Sequence, residues 1–330
     1  MFKKILFGIV IFGNLAPSFG FPCNGREEFC DRKYSDITQI KTHNSTSITS
    51  KSKLSLPNFV ADQNRPLEKQ LEDGIRAFKI PVHPVVKNGK TIPWVTHTVQ
   101  KNKLFETIDH NKKFIPEVVV DQLKKSLINN VWKMDSSNMP LIDFLTILKN
   151  YLDTHPHEVI TLVLNTFTMN EMKQQFLDTF ITSGMGQYLH IQDKNQPWPT
   201  LKEMITKNKR MVVFVDTNVN QAGFHYTPHF VRQNNYSFKN SNELNNDTCS
   251  TFDKPLKTPS ALYEINHFIT PNIAGSESEA KKANKYEALK SHVTRCSRPG
   301  IRPNFIHVDF YDIQFDDIKK VVDELNKTKQ

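Results

Sequence analysis

A parallel α/β barrel is the fold class this chain predicts, and three observations point to it. Apolar runs of strand length, such as Glu158–Phe167 (EVITLVLNTF) and Arg210–Asp216 (RMVVFVD), alternate with amphipathic segments of helix length. Runs that are apolar on both faces belong to parallel sheets covered by helices. The length of 330 residues suits one large barrel or two smaller domains. Two strand-like runs, Ile37–His43 and Ile92–His97, each end in a histidine. Barrel enzymes keep their reactive groups at the C-terminal ends of their strands.

The elements follow in order. Lys3 and Lys4 precede the apolar run Ile5–Leu15, and Ser18 and Gly20 offer small residues for cleavage, so residues 1–20 read as a signal peptide. Residues 21–330 then form a single domain, expected to be soluble, secreted and extracellular; no later stretch is apolar enough to span a bilayer. After strand 1 comes a polar connection over 45–65, then a short helix at Pro66–Asp73, which Gly74 stops. Strand 2 (Ile75–Val82) turns at Asn88-Gly89 into strand 3, which runs to His97. Residues 99–138 read as an insertion holding a helix at Pro116–Asn130.

Leu141, Ile142, Leu145, Leu148 and Leu152 fall at helical spacing in Pro140–Thr154. Glu171–Phe180 and Pro199–Lys207 are further helices on either side of a weakly patterned stretch. A long polar loop at 218–258 leads to the strand Leu262–Ile269, and Ser276–Thr294 is a charged helix. Asn304–Asp312 is the last strand and Phe315–Lys327 the closing helix. Seven strands are clear, and the eighth falls in 183–196 or 218–240.

Forty-three basic against 34 acidic residues give a net charge of +9, or +7 once Lys3 and Lys4 are removed. That balance favours anionic surfaces such as phospholipid headgroups. The lysines are scattered, and no basic block interleaved with aromatics suggests nucleic acid. Nothing in the sequence calls for an oligomer, so a monomer is expected.

Four cysteines in an exported chain predict two disulfides. Three connectivities are open, and proximity favours Cys23–Cys30 with Cys249–Cys296. A zinc site is the competing reading, but no paired C-x-x-C spacing supports it. Sequons occur at Asn44, Asn235, Asn246 and Asn326. The last three are expected to be exposed and glycosylated, and Asn44, beside His43, to carry no glycan.

Two histidines at the ends of neighbouring strands are what phosphodiester cleavage by acid and base needs. A neutral imidazole takes a proton and an imidazolium gives one, so two of them straddling a phosphate can run an in-line displacement. On the last strand, alternation sets Phe305, His307, Asp309 and Tyr311 on one face, and Ile306, Val308 and Phe310 on the other. The apolar set suits packing under helices, which turns Asp309 inward, next to the first strand and His43. Lys79 shares inward parity with Pro81, and Gln39 and Lys41 share that of His43, while Arg76 points outward. Glu264, Asn266 and His267 lie on an inner-strand segment within reach of a substrate or of an interior polar network.

THNS at the first strand, QLEDGIRAF at the second, LIDFLTILKNYLDTHPHEVITLVLN, WPTLKEMITKNKRMVVFVD and PNFIHVDFYD together resemble the X-domain of phosphatidylinositol-specific phospholipase C. The likeness is strongest to secreted phospholipase-C-like phosphodiesterases of fungi and other microbial eukaryotes, and it covers roughly residues 23–320. It implies a TIM-type (β/α)8 barrel, distorted or incompletely closed. By motif position His43 resembles the general base on the inositol 2-hydroxyl, and His97 the acid that protonates the departing glycerol oxygen. By strand position Asp309 is the candidate carboxylate supporting His43, or an interior Asp tied to a lysine; Lys79 is a candidate phosphate-binding charge, or a partner of Asp309 or Glu264; Asn44 and Glu264 are further substrate-binding candidates.

The chain departs from the family in three places. Bacterial members carry an Asp after the first His, where Asn44 stands, and a phosphoryl-stabilising Arg on strand 2, where Pro81 stands. Calcium-dependent animal members need acidic ligands at the positions of Lys79 and Pro81, so no metal or other cofactor is expected. The leading reading is a metal-independent, two-histidine phospholipase-C-like enzyme acting on an inositol phospholipid or related glycolipid at a membrane surface. The alternative is a degenerate barrel that binds phosphoinositol or glycan headgroups. A glycerophosphodiesterase would need acidic metal ligands soon after the first strand, and the sequence pattern shows none.

Overall fold

The computed structural model describes residues 22–49, 61–96, 139–166, 169–271 and 275–328. The expected signal peptide, the insertion 99–138 with its helix, and His97 lie outside the described residues.

Ten strands are described: β1 (Gln39–Thr42), β2 (Ala77–Lys87), β3 (Lys90–Val95), β4 (Met139–Pro140), β5 (Ile160–Asn165), β6 (Met211–Val215), β7 (Phe224–Tyr226), β8 (Val231–Gln233), β9 (Leu262–Asn266) and β10 (Pro303–Val308). Eight of them form one curled parallel wall in the order β7-β6-β5-β2-β1-β10-β9-β8. Among the described residues no ladder joins β7 to β8, so this is an open, distorted (β/α)8 barrel. The eighth strand is found within 218–240, which holds both β7 and β8.

One strand is corrected. β3 is not part of the barrel wall; it returns antiparallel on β2 and pairs Val82 with Val95 through Lys87 with Lys90. The reason is the turn: Asn88 and Gly89 both take positive φ, 52° and 71°, which suits a two-residue hairpin and forbids a crossover. β2 therefore has two parts. Its first five residues pair with β5, and its remainder forms the hairpin, which brings Thr96 back to the barrel rim with its N–H on the Pro81 carbonyl at 3.3 Å.

Strand alternation sorts the core into two layers. Phe78, Ile80, Leu162, Leu164, Val213, Ile306 and Val308 face the helices and pack with Leu141, Phe144, Leu145 and Leu148 of helix Leu141–Thr154. The other parity points into the barrel, where Ala77, Val163, Phe214, Leu262 and Phe305 fill its lower half. Trp198 plugs this floor, with its ring 4.6 Å from Tyr34 and its Nε1–H on the Ser260 carbonyl. Above the floor the inward positions turn polar.

Boundaries of the helices moved little, with one exception. The charged segment 276–294 is two helices, Glu277–Ala283 and Tyr286–Cys296, broken at Asn284. Asn284 is buried and its amide is spent on the carbonyls of Asp309, Phe310 and Ile313. The two disulfides are Cys23–Cys30 and Cys249–Cys296. No helix among the described residues is long and apolar enough to cross a membrane.

Candidate active site

β1 delivers His43 to the rim one residue after its last ladder position, with the His43 N–H on the Val308 carbonyl at 3.0 Å. β10 delivers Asp309 in the same way. His43 Nδ1 lies 2.8 Å from Asp309 Oδ1, and the imidazole stacks on Phe268 at 4.3 Å. Its Nε2 lies 2.9 Å from the Tyr236 hydroxyl, on the segment that follows β8. Both members of the His–Asp pair are buried, at 5% and 3% exposure.

An ionised carboxylate only accepts, so with Asp309 ionised Nδ1 carries a ring proton, and in the neutral ring Nε2 presents a lone pair to which the Tyr236 hydroxyl can donate. Part of the Tyr236 ring is open to solvent, but its hydroxyl is turned into the rim against His43. Burial, and then the charges of Asp62, Asp309, Glu264 and Asp216, hold that hydroxyl well above the usual phenol range, so it keeps its proton. A substrate hydroxyl that displaced Tyr236 would meet an unprotonated nitrogen aimed at it, which is the geometry of a general base.

A second carboxylate stands here that the sequence pattern did not reveal. Asp62 is fully buried, accepts from Asn44 Nδ2 at 2.6 Å and from the Gly275 N–H at 2.7 Å, and lies 3.9 Å from His43 Nδ1. It sits in the polar connection after the first strand, where no periodicity marks an inward residue. Gly275 is a close-approach glycine: a Cβ there would overlap Asp309 Oδ2. His43, Asp62 and Asp309 together offer three ligand atoms that a metal ion could share.

Lys79 points inward as expected, but it pairs with neither Asp309 nor Glu264. Its Nζ lies over the Tyr236 ring, 3.8 Å from the centroid. Burial and the neighbouring Lys41 charge lower its pKa to about 7, so the ammonium is only partly populated at neutrality. Glu264 belongs to an interior network, 2.5 Å from Lys41 Nζ and 3.1 Å from His307 Nδ1. Burial alone would raise its carboxyl, but Lys41, His307 and Lys79 together hold it well below the ordinary range. Asn266 completes the network through His307 Nδ1 at 2.7 Å.

Two parity expectations fail. His267 faces away from the barrel and bonds His292 and the Ala283 carbonyl. Tyr311 joins the outer core because β10 ends at Val308 and Phe310 takes φ 44°, which breaks the alternation. Arg76 does point outward, onto Glu158. Of the sequons, Asn44 is buried, and Asn235 and Asn246 are exposed. Asn326 is not exposed as expected: its amide makes two bonds with the Thr38 backbone, at 2.9 Å each, so its nitrogen is sealed against a glycan.

The PI-PLC X 1 family model matches residues 29–119 and 96–326. This chain belongs to the PI-PLC X family. It is 26% identical to the PI-PLC X domain-containing protein 1 of Arthroderma benhamiae over 77% of this chain and 70% of that one. A second protein of that organism, described as an uncharacterized secreted protein, is 24% identical over 88% of this chain and 60% of its own length. Among solved structures, phosphatidylinositol-specific phospholipase C from Listeria monocytogenes aligns with TM-score 0.55 at 14% identity, covering 91% of this chain and 96% of that one. A mutant of the phosphatidylinositol-specific phospholipase C from Staphylococcus aureus aligns at TM-score 0.57 and 15% identity, covering 91% of this chain and 95% of that one. These matches establish the PI-PLC barrel as the fold.

Proposed function

We propose that this PI-PLC X family member is a secreted phospholipase-C-type phosphodiesterase that cleaves an inositol phospholipid or related glycolipid without a metal. The observation that carries the reading is the rim pair: His43 held by Asp309 at 2.8 Å through Nδ1, with Nε2 directed at a hydroxyl 2.9 Å away. His43 takes the proton of the attacking hydroxyl, and Asp309 stabilises the imidazolium that forms. His97 is proposed as the acid that protonates the leaving glycerol oxygen; it follows Thr96, which the hairpin seats at the rim beside Pro81. Asn44 and Lys79 face the phosphate, with Lys79 as a point charge where the bacterial relatives use Arg. Removing such a transition-state donor typically costs about 10²–10³ in rate, so turnover is slow.

The seating of Tyr236 on Nε2, together with Pro81 at the Arg position, favours one second reading, a headgroup-binding barrel without turnover. One assay separates the two. Phosphatidylinositol vesicles in EDTA are incubated with wild type, His43→Ala and His97→Ala, and water-soluble inositol phosphate is measured. Release by wild type and loss in both variants supports the enzyme. Vesicle binding with no release, with or without calcium, supports the binding barrel. Release that EDTA abolishes would overturn the metal-free mechanism.

A further inference from the structure

Behind the wall, opposite the rim pair, four donor groups converge. Helix Tyr286–Cys296 carries His292 and Cys296 at i and i+4, on one face. Asp247 and Cys249 follow the short helix Ser241–Asn246 and meet that face. All four residues are buried, and their ligand atoms lie within 4.8 Å of one another. Asp247 Oδ2 is 3.1 Å from His292 Nε2 and 3.4 Å from Cys249 Sγ, which is 3.8 Å from His292 Nε2. Tetrahedral zinc with bonds of roughly 2.0–2.3 Å sets its donors about 3.3–3.8 Å apart. Two of those separations, 3.4 and 3.8 Å, fall in that range, and the third, 3.1 Å, is slightly shorter.

Hydrogen bonding around the cluster aims the lone pairs inward. The Ala283 carbonyl can only accept, so His267 Nε2, 2.8 Å away, carries a proton. Neutral, buried His267 then presents an unprotonated Nδ1, and His292 Nδ1–H donates to it at 2.8 Å. His292 Nε2 faces a carboxylate oxygen of Asp247 at hydrogen-bond distance, so either a ring proton or a cation stands between the two. Asn234 and Asn235 donate to Asp247 Oδ2 and Oδ1, at 2.7 and 3.2 Å, and the Cys249 N–H donates to Oδ1 at 3.3 Å. This is the outer shell that orients ligands at metal centres.

We propose that Asp247, Cys249, His292 and Cys296 form a redox-gated site for a zinc-class divalent cation, closed while the Cys249–Cys296 disulfide stands and four-coordinate once it is reduced. A dithiol or phosphine reductant supplies two electrons and the medium two protons, cleaving the S–S bond to two thiols. The entering cation displaces both thiol protons and takes two thiolates, the imidazole and the carboxylate. The site is independent of the phosphodiesterase chemistry.

The test uses the full chain carrying Cys23→Ser and Cys30→Ser, so that only one cysteine pair remains. Cobalt(II) is titrated into the oxidised chain and into the phosphine-reduced chain under argon. The expected result is one cobalt per reduced chain with a thiolate-to-cobalt charge-transfer band, and none in the oxidised chain. His292→Gln should weaken cobalt binding at least about tenfold, as loss of metal-site groups does. A folded reduced chain with no charge-transfer band overturns the proposal. So does equal uptake by the oxidised chain, or affinity unchanged in His292→Gln, which would leave His292 as an imidazolium paired with Asp247. If reduction unfolds the chain, zinc must restore its near-ultraviolet circular dichroism, and failure to do so overturns the proposal as well.

Discussion

Asp309→Asn isolates the contribution of one buried contact. The substitution keeps the side chain's shape and removes its charge from a 2.8 Å bond to His43 Nδ1. A hydrogen bond to a charged group contributes about 1.5–3 kcal/mol, which at 1.36 kcal/mol per decade is roughly 10- to 150-fold in kcat. That is the loss if the amide oxygen turns to Nδ1. If the NH2 turns there instead, the ring proton moves to Nε2 and the base is lost; the same change in a Ser-His-Asp triad costs about 10⁴. The expectation is therefore a fall in kcat between about 10- and 10⁴-fold, with KM changed by less than about threefold because the contact lies behind the base. The assay is initial-rate release of inositol phosphate at several vesicle concentrations, with thermal unfolding run alongside. A folded variant that keeps kcat within about twofold of wild type would refute the role given to the pair.

Four further outcomes are expected. Gly275→Ala drives a methyl into Asp309 Oδ2, so it should lower kcat as Asp309→Asn does and also destabilise by about 1–3 kcal/mol, read by urea unfolding. Tyr236→Phe removes the hydroxyl that competes for Nε2, so KM should fall about 2- to 10-fold, the worth of one ordinary hydrogen bond; a raised KM would instead make Tyr236 a substrate contact. Lys79 binds its proton more weakly folded (about 7) than unfolded (10.5), so its burial cost is greatest below about pH 7 and fades as pH rises towards 10.5. Lys79→Met should therefore raise Tm, more at about pH 6 than at about pH 9, and should flatten any loss of inorganic-phosphate affinity as pH rises through about 7. Glu264→Gln leaves Lys41 buried without its counter-charge, which should cost about 3–5 kcal/mol in urea unfolding; a raised KM at unchanged stability would make Glu264 a substrate contact.

The wall of the barrel was legible because buried parallel strands have few other ways to read: Ile160–Asn165 and Met211–Val215 are apolar on both faces, and only one architecture covers both. The inward placement of Lys79, Glu264 and Asp309 was legible because parity carries one strand's residues to one face, whereas Asn44 stood out only as the neighbour of His43 in the turn after β1. Parity also failed where the backbone left the strand, at Phe310 with its positive φ, and it sent Tyr311 to the wrong side. β3 looked like a wall strand because a hairpin arm and a barrel strand have the same local composition; only the pairing distinguishes them. Asp62 was invisible for the opposite reason. Its burial is made by Asn44 and Gly275, which lie 18 and 213 residues away in the chain, and no local pattern encodes such a meeting.

The unpaired edge between β7 and β8 follows from arithmetic on the chain. Parallel neighbours need a crossover of about a dozen residues or more to return to the starting end of the sheet. Here only the four residues Thr227–Phe230 separate the two strands. They cannot supply that return, so point substitutions in the edge strands cannot weld the seam; only an insertion could. A closed barrel has no free backbone edge, whereas this wall keeps two, one on β7 and one on β8, that no ladder among the described residues joins to each other.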